Sequence, residues 1–320
     1  MGHAFMTCPF LHQKHLPMSL TDITFAQLRA LLAVQRNGSI TSAAAALGVT
    51  QPVLTRGLRL LEQQVGVGLL QRSARGASLT PYGLALVERA QRIEEELRRA
   101  KDELLQMQGK VSGNISMACS PIPMMLFVPE AIGHFRRTFT DVQVRVTEAV
   151  YPELMNEFRQ ESIDFAIGPI PERGLGRDFK TTKLMDVELV VAVRKGHRKA
   201  HSKSIKDFLE EDWMVMGPPD GPGAIVGQVF EKYGLQAPAT PLYLETVWSA
   251  LEVIRHSDLI GFIPRPLALW AAQGIAVAPV VEVLPLLRIH AITSKKTILT
   301  PAARALISAI RASAAGYHAI

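Results

Sequence analysis

The spacing of hydrophobic residues divides the chain into three regions. Residues 20–80 carry short helical periods that stop at glycines, and residues 80–109 form one unbroken helical segment. From residue 111 onward, short apolar runs alternate with amphipathic helices. Strands that alternate with helices predict an α/β architecture with mostly parallel sheets covered by helices. We therefore expect an all-α N-terminal part, a long helix and an α/β remainder that folds into two lobes.

The middle region predicts a helix that carries an apolar stripe and is roughly 40 Å long. Thr80 and Pro81 supply an N-cap and a first-turn proline. Apolar residues then recur every 3.5 positions, at Leu86, Ala90, Ile93, Leu97, Ala100, Leu104 and Met107. This repeat is typical of a coiled-coil seam. We expect the stripe to join two copies into a homodimer; the alternative is that it packs on its own chain.

Two short helices are predicted between Ser39 and Val65. Ser39 can cap an alanine-rich helix, residues 48–50 form a turn, and a second helix begins at Gln51. One side of the second helix is apolar, with Leu54, Leu58 and Leu61, and the other presents Pro52, Thr55, Arg56, Arg59 and Gln63. Insertion of a helix into the DNA major groove requires this arrangement. Taken alone, however, alanine-rich helix pairs also occur in structural bundles.

The residues that follow favour the DNA-binding interpretation. Two β-like arms around residues 74–76 predict a hairpin, or wing, that carries Arg72 and Arg75 toward the DNA. The run GSITSAAAALGVTQPVLTRGLRLLEQQVGVGLLQRSARGASLTPYG closely resembles the N-terminus of LysR-type transcriptional regulators. Both helices and the segments LE, LLQR and LTPYG keep their register, and a looser resemblance covers nearly the whole chain from Met18.

The resemblance implies a fold and a set of partners. It implies a winged helix-turn-helix in residues 18–79, a dimerising linker helix in residues 80–109, and an effector-binding domain in residues 110–320. That domain would resemble type II periplasmic binding proteins, with lobe I at about 111–184 and 286–320 and lobe II at about 185–285. The implied partners are double-stranded operator DNA, a small-molecule effector such as an organic or aromatic acid, and further copies of the chain in a homotetramer.

Specific DNA contacts carry over from the family by position. They fall on Gln51, Pro52, Thr55 and Arg56 in the second helix and on Arg72 and Arg75 in the wing; the polar face of the helix adds Arg59. Gly57 departs from expectation, because a mid-helix glycine costs about 1 kcal/mol relative to alanine. It either permits close approach of the backbone to DNA or reflects neutral drift.

Contacts with the effector are expected where helices begin at the cleft between the lobes. Ser120, Pro121 and Ile122 form the turn after the first strand, which contacts the effector in the resembled family. The loop of residues 217–223 offers Pro219, Asp220 and Gly221, although the charge of Asp220 would repel an anion. Gly168 and Thr246 are further candidates. For all of them except Ser120, a purely structural role is at least as good an explanation.

Charge distribution agrees with a DNA-binding N-terminal part. The net charge is +6, and residues 18–80 contain six arginines, no lysine and two acids, which gives +4. A basic region of this kind attracts nucleic acid. The main rival is a solute-binding or metabolic protein whose N-terminal helices serve only assembly, and it predicts no salt-dependent DNA binding.

The sequence gives little support for catalysis, metal binding or membrane insertion. The two cysteines, Cys8 and Cys119, lack metal-ligand spacing and suggest a reducing compartment, so we expect a cytoplasmic protein. Cys8 and nearby histidines could bind metal, but we interpret residues 1–17 as a disordered extension or a start-site artefact. We expect no catalytic residues, no metal, no cofactor and no membrane segment, because no nucleophile–base pattern or long apolar run is present.

Overall fold

The computed structural model describes residues 22–73, 76–110, 112–160, 162–171, 174–217 and 222–317, with Arg72, Ser73 and Pro222 described by their backbone only. The predicted extension of residues 1–17, the wing residue Arg75 and the loop residues Pro219, Asp220 and Gly221 lie outside the described residues. Contacts within the chain define two compact units, one ending at Arg98 and the other beginning at Arg99. The two units are described in turn.

The N-terminal unit packs three helices and a two-stranded hairpin around one small core. Its elements are α1 (Phe25–Asn37), α2 (Ile40–Ala46), α3 (Gln51–Val65), β1 (Leu70–Ser73), β2 (Gly76–Leu79) and the first part of α4 (Pro81–Met107). Leu31, Leu58 and Leu61 are fully buried in this core. Burial of such side chains contributes about 1.5–3 kcal/mol each. The sequence analysis did not resolve α1, whose start is fixed by a capping box between Thr24 and Gln27.

The predicted helix pair is confirmed. Ser39 Oγ accepts a hydrogen bond from the Ser42 amide at 3.1 Å, so that α2 begins at Ile40. Helix α3 begins at Gln51 and ends at Val65, as predicted. The predicted wing is present as the antiparallel pair β1 and β2, although its tip lies outside the described residues.

Helix α4 begins as the sequence predicts, with Thr80 Oγ1 accepting a hydrogen bond from the Gly83 amide at 3.1 Å. The same hydroxyl donates to the Gly68 carbonyl at 2.7 Å. The apolar stripe divides in two: Ala90 is fully buried in the N-terminal core. Further along, Ile93, Leu97, Leu104 and Met107 are 44%, 49%, 61% and 72% exposed. The start of the stripe thus packs on its own chain, and the rest is exposed in a single copy.

The second unit contains one large mixed sheet, a small sheet and helices on their faces. Its strands are β3 (Ser112–Cys119), β4 (Asp141–Glu148), β5 (Phe165–Pro169), β6 (Phe179–Arg194), β7 (Met214–Met216), β8 (Leu242–Leu244), β9 (Gly261–Pro264), β10 (Ile275–Ala278) and β11 (Leu286–Ser294). Its helices after α4 are α5 (Pro121–Leu126), α6 (Val128–Thr138), α7 (Glu153–Arg159), α8 (Ile225–Lys232), α9 (Val247–His256), α10 (Arg265–Trp270) and α11 (Pro301–Gly316). Short 3-10 turns lie at Ile205–Phe208 and Pro222–Ala224.

Strand pairing corrects the expectation of mostly parallel sheets. The order in the large sheet is β10-β6-β11-β5-β3-β4, with β9 also paired to β6. Strand β3 is parallel to β4 and β5, and β7 is parallel to β8. Every pairing of β6 and β11 is antiparallel. Strand β11 runs antiparallel to β5 and to the first part of β6, and the last part of β6 runs antiparallel to β9 and β10.

Strand β6 extends through both predicted lobes. Residues 179–188 pair with β11, and residues 189–194 pair with β9 and β10. The apolar run at residues 187–193 predicts a strand there, but the observed strand begins earlier, at Phe179. The connection between the lobes is therefore regular, hydrogen-bonded strand.

The amphipathic pattern of residues 123–137 predicts one continuous helix, and this prediction is wrong. The segment consists of α5 and α6, separated at Phe127, whose φ of −138° lies outside the helical region. Pro129 explains the break, because proline has no amide hydrogen and its ring collides with the carbonyl four residues earlier. Helix α10 and strand β10 were not predicted.

The last turns of α4 are fastened to the second unit by buried polar contacts. Arg99 Nε donates to Asp164 Oδ1 at 2.8 Å, and both side chains are at most 5% exposed. Asp164 Oδ2 accepts from the Ser116 amide at 2.8 Å. Asp102 Oδ2 accepts from the Asn114 amide at 3.0 Å. These contacts fix the end of α4 beside β3 and the start of β5.

Candidate nucleic-acid interface and ligand cavity

The exposed side of α3 brings the predicted DNA contacts together. A single surface depression is lined by Gln51, Pro52, Thr55, Arg56, Arg59, Leu60 and Gln63. Glutamine and threonine can bond base edges, and arginine can bond guanine or phosphate. All five predicted residues of α3 therefore share one surface, together with the 48% exposed Leu60, which the sequence analysis did not single out.

This surface is held outward by the opposite side of the helix. Leu54, Leu58 and Leu61 are at most 4% exposed and pack in the N-terminal core. A Cβ atom added to Gly57 would meet nothing within 4 Å. Packing inside this unit therefore does not require a glycine at that position.

The wing is fastened to the helices at both of its strands. Glu62 Oε1 accepts hydrogen bonds from the amides of Leu69 at 2.8 Å and Leu70 at 3.1 Å. On the other strand, the Ala77 amide donates to the Gly38 carbonyl at 3.2 Å. Gly76 passes so close to that carbonyl oxygen that an added Cβ would lie 2.7 Å from it, at a φ of +132°. Glu62, the acidic residue of the LE segment, therefore holds the wing against α3, a role that was not predicted from the sequence.

The position of Arg72 follows from strand register. Arg72 pairs with Ala77 across the hairpin, with Leu70 opposite Leu79 at its base. The backbone of Arg72 therefore lies within the paired part of the wing.

The second unit contains a cavity of about 170 Å³ between the predicted lobes. Ser120, Pro121 and Ile122 line it together, as the sequence analysis expected. The other side is formed by residues that it did not identify, among them Val150, Met214, Met216, Ile225, Glu245 and Phe262. Their contribution could not be read from the sequence, since they come from separate strands and helices that only the fold brings together.

Other predicted ligand residues lie beside the cavity rather than along it. Gly168 sits behind Ser120, where an added Cβ would be 3.2 Å from Ser120 Oγ. Thr246 Oγ1 accepts from the Ser249 amide at 3.2 Å and so caps α9, while its neighbours Glu245 and Val247 line the cavity. The glycine makes room for the serine, and the threonine positions a helix.

Ser120 is a buried polar residue in the lining of the cavity. Its residue is 2% exposed, and its Oγ makes no hydrogen bond within the described part of the chain. Its own amide is already used, because it donates to the Ile167 carbonyl at 2.8 Å. A buried hydroxyl without a partner costs free energy unless a ligand or water bonds it.

Cys119 lies next to Ser120 but is unreactive. It is 1% exposed, and burial, reinforced by the negative charge of Glu148, raises the pKa of its thiol to about 12. Because the thiolate is the nucleophile, this thiol is inert near neutral pH. The described residues hold no group of three or more His, Cys, Asp or Glu side chains arranged to bind a metal. None of the described helices is both long and apolar enough to cross a membrane.

Comparison with known families accounts for both units. Residues 25–84 match the model for bacterial regulatory helix-turn-helix proteins of the lysR family. Residues 108–315 match the model for the LysR substrate binding domain. These ranges cover most of the chain, so the protein belongs to the LysR family.

Curated relatives are full-length regulators. The chain is 28% identical to the HTH-type transcriptional regulator GbpR of Rhizobium radiobacter over 77% of its own length and 83% of that protein. It is 29% identical to the regulator PcaQ of Agrobacterium fabrum, over 81% and 84% of the two chains. It is 25% identical to the regulator TdcA of Escherichia coli, over 86% and 88%.

Solved structures share the fold. CbnR in complex with its target DNA gives a TM-score of 0.68 at 23% identity, covering 91% of this chain and all of that one. Full-length BenM gives 0.53 at 21% identity, covering 92% and 99%. The chain is accordingly a LysR-type, DNA-binding transcriptional regulator with a substrate-binding domain, and it is not an enzyme. This excludes the alternative in which the N-terminal helices serve assembly alone.

Proposed function

We propose that the protein binds operator DNA through the polar face of α3 and the wing, and that a small molecule in the 170 Å³ cavity regulates this binding. The observation that carries the DNA proposal is the shared surface of Gln51, Thr55, Arg56 and Arg59. In this proposal Gln51 and Thr55 contact bases, and Arg56 and Arg59 contact guanine or phosphate. Arg72 and Arg75 of the wing contact the backbone or the minor groove.

The exposed part of the α4 stripe supports assembly into a homodimer. Ile93, Leu97, Leu104 and Met107 follow a heptad spacing and are all more than 40% exposed in a single copy. A second α4 would remove them from water. Two heads related by a two-fold axis suit a dyad-symmetric operator. Pairs of dimers would form the tetramer that the family resemblance implies, acting in the cytoplasm where the DNA lies.

Regulation follows from the position of the cavity. A ligand held between the lobes favours one lobe arrangement over another and so shifts the population of conformers. We assign DNA binding to residues 18–79, dimerisation to residues 80–109 and sensing to residues 110–320, the domains predicted from the sequence. Sensing would then act on DNA binding through α4.

The DNA proposal is tested by titrating the full chain against a labelled fragment of its own upstream region at several salt concentrations. We expect Arg56→Ala to weaken binding by about tenfold to a hundredfold, because it removes a base or phosphate contact. It should also flatten the dependence of affinity on salt if the contact is to phosphate. Arg311→Ala, an exposed arginine on α11, is the matched control and should leave affinity unchanged. Equal affinities for the two variants would contradict the proposal.

A further inference from the structure

The cavity has features that disfavour an acidic ligand. No lysine, arginine or histidine occurs among the described residues that line it. Arg265 follows the lining residue Pro264, but its Nε is already bonded to Glu188 Oε2 at 2.6 Å. An anion in the cavity would therefore meet no free cation from the described lining.

The backbone at the start of α5 is also unsuited to an anion. A helix start usually binds anions through its free amide hydrogens. Here Pro121 and Pro123 occupy the first and third positions of α5, and proline has no amide hydrogen. The Ser120 amide is bonded to Ile167, and the Met124 amide to the Ser120 carbonyl. Among these residues only the Ile122 amide is left to donate.

Glu245, the one carboxylate among the described lining residues, also disfavours an acidic ligand. Glu245 lines the cavity from its exposed side, and no hydrogen bond or ion pair neutralises it within the described structure. Two like charges near each other at a cavity mouth repel. A carboxylate ligand would lose its hydration and gain no compensating charge.

The remaining lining indicates what the ligand is like. Met214, Met216, Val226 and Phe262 provide an apolar surface, and Ser120 Oγ provides one buried group that can donate and accept a hydrogen bond. A cavity of about 150 Å³ is known to hold benzene, and this one is about 170 Å³. We propose that the effector is a small, uncharged, mainly apolar molecule whose single hydroxyl or carbonyl group bonds Ser120 Oγ.

This inference rests on the proposed function, namely that the cavity is the effector site. Three probes of similar size distinguish the location of the effector site from the chemical class of its ligand: benzyl alcohol, benzylamine and benzoate. The readout is the NMR signal of the 13C-labelled methionine methyl groups of the full chain, since Met214 and Met216 line the cavity. We expect benzyl alcohol to shift these two signals with a Kd at least tenfold below that of benzoate.

Ser120→Ala tests the hydrogen bond. It should weaken benzyl alcohol about fivefold to tenfold, since a typical hydrogen bond contributes roughly 1 kcal/mol. Toluene, which has no hydroxyl, should bind both proteins alike. Ser313→Ala, at a buried serine of α11, is the matched control and should change neither ligand. Equal loss for toluene and benzyl alcohol would mean that the serine only shapes the cavity, and it would overturn the hydrogen bond.

Glu245→Lys tests whether the charge at this position excludes acidic ligands. The substitution replaces the one lining carboxylate by a cation, and we expect it to improve benzoate binding at least tenfold. If benzoate binds the unmodified chain as tightly as benzyl alcohol and shifts the same methyl signals, the class assignment fails while the effector site stands. If benzylamine binds tenfold tighter than the alcohol, the ligand is cationic and the uncharged assignment fails. If all the probes shift only methyl signals remote from the cavity, the effector site itself is refuted.

Discussion

The two units of this protein use arginine in opposite ways. On α3, Arg56 and Arg59 are exposed and free to meet a partner of opposite charge. In the second unit, Arg99 is 3% exposed and bonded to Asp164 at 2.8 Å, while the cavity of that unit has no basic side chain in its described lining. An exposed cation binds with little loss of hydration, whereas a buried one must be paired. In the proposed function the two arginines of α3 serve DNA recognition, whereas Arg99 stabilises the fold of the second unit.

Matched arginine substitutions give the sharpest test of this comparison. Arg99→Ala should lower the free energy of unfolding of the second unit by about 3–5 kcal/mol, because it leaves a buried carboxylate without its cation. Arg56→Ala should change stability by less than about 0.5 kcal/mol, since nothing in the core depends on it. Urea unfolding of the full chain measures both. Similar effects of the two substitutions on stability would refute the contrast.

A smaller effect is expected at the contact between α3 and the wing. Glu62→Ala leaves the amides of Leu69 and Leu70 without their acceptor. The expected loss is about 1–3 kcal/mol in the stability of the N-terminal unit. DNA affinity should fall as well, because the wing is no longer held.

Glu62→Gln distinguishes loss of the hydrogen bonds from loss of the negative charge as the cause of that destabilisation. It keeps an acceptor oxygen and should recover much of the stability. The measurement is thermal unfolding followed together with fluorescence anisotropy on labelled operator DNA. If the glutamine variant behaves like the alanine variant, the negative charge rather than the hydrogen bond is responsible.

The smallest effect is expected at Gly57, and it has the opposite sign. A Cβ there meets nothing within 4 Å, so Gly57→Ala should stabilise the N-terminal unit by about 0.5–1 kcal/mol. Weaker DNA binding by a more stable variant would show that the glycine permits close approach of the backbone to DNA. Unchanged binding would show that the glycine is neutral. Circular dichroism melting and operator titration measure the two quantities.

The same contrast explains which features could be predicted from the sequence. The surface of α3 is local: Thr55, Arg56 and Arg59 fall on one face because a helix repeats every 3.6 residues, and the leucines mark the other face. The cavity is not local, because it joins Ser120 to Met214, Glu245 and Phe262 across separate strands and helices. Of the residues that line it, the sequence analysis expected the turn at Ser120, Pro121 and Ile122, which the family resemblance marks, and Gly217 at the start of the 217–223 loop.

Strand directions and helix breaks were harder to predict for a related reason. Apolar periodicity identifies a strand but not its neighbour, so the antiparallel pairings of β6 and β11 could not be deduced. The break at Phe127 was visible in principle, since Pro129 interrupts the helical pattern. By contrast, the start of α4 was predicted correctly because Thr80 and Pro81 act within one turn.

Strand β6 has a mechanical consequence for the movement of the lobes. A connection made of loose coil acts as a free joint, which can swing through any angle at little cost. Here the connection is a single run, Phe179–Arg194, bonded to β11 along one part and to β9 and β10 along the next. Because these hydrogen bonds hold the strand along its length, we expect the lobes to move through small rotations distributed over β6 rather than by swinging about one joint.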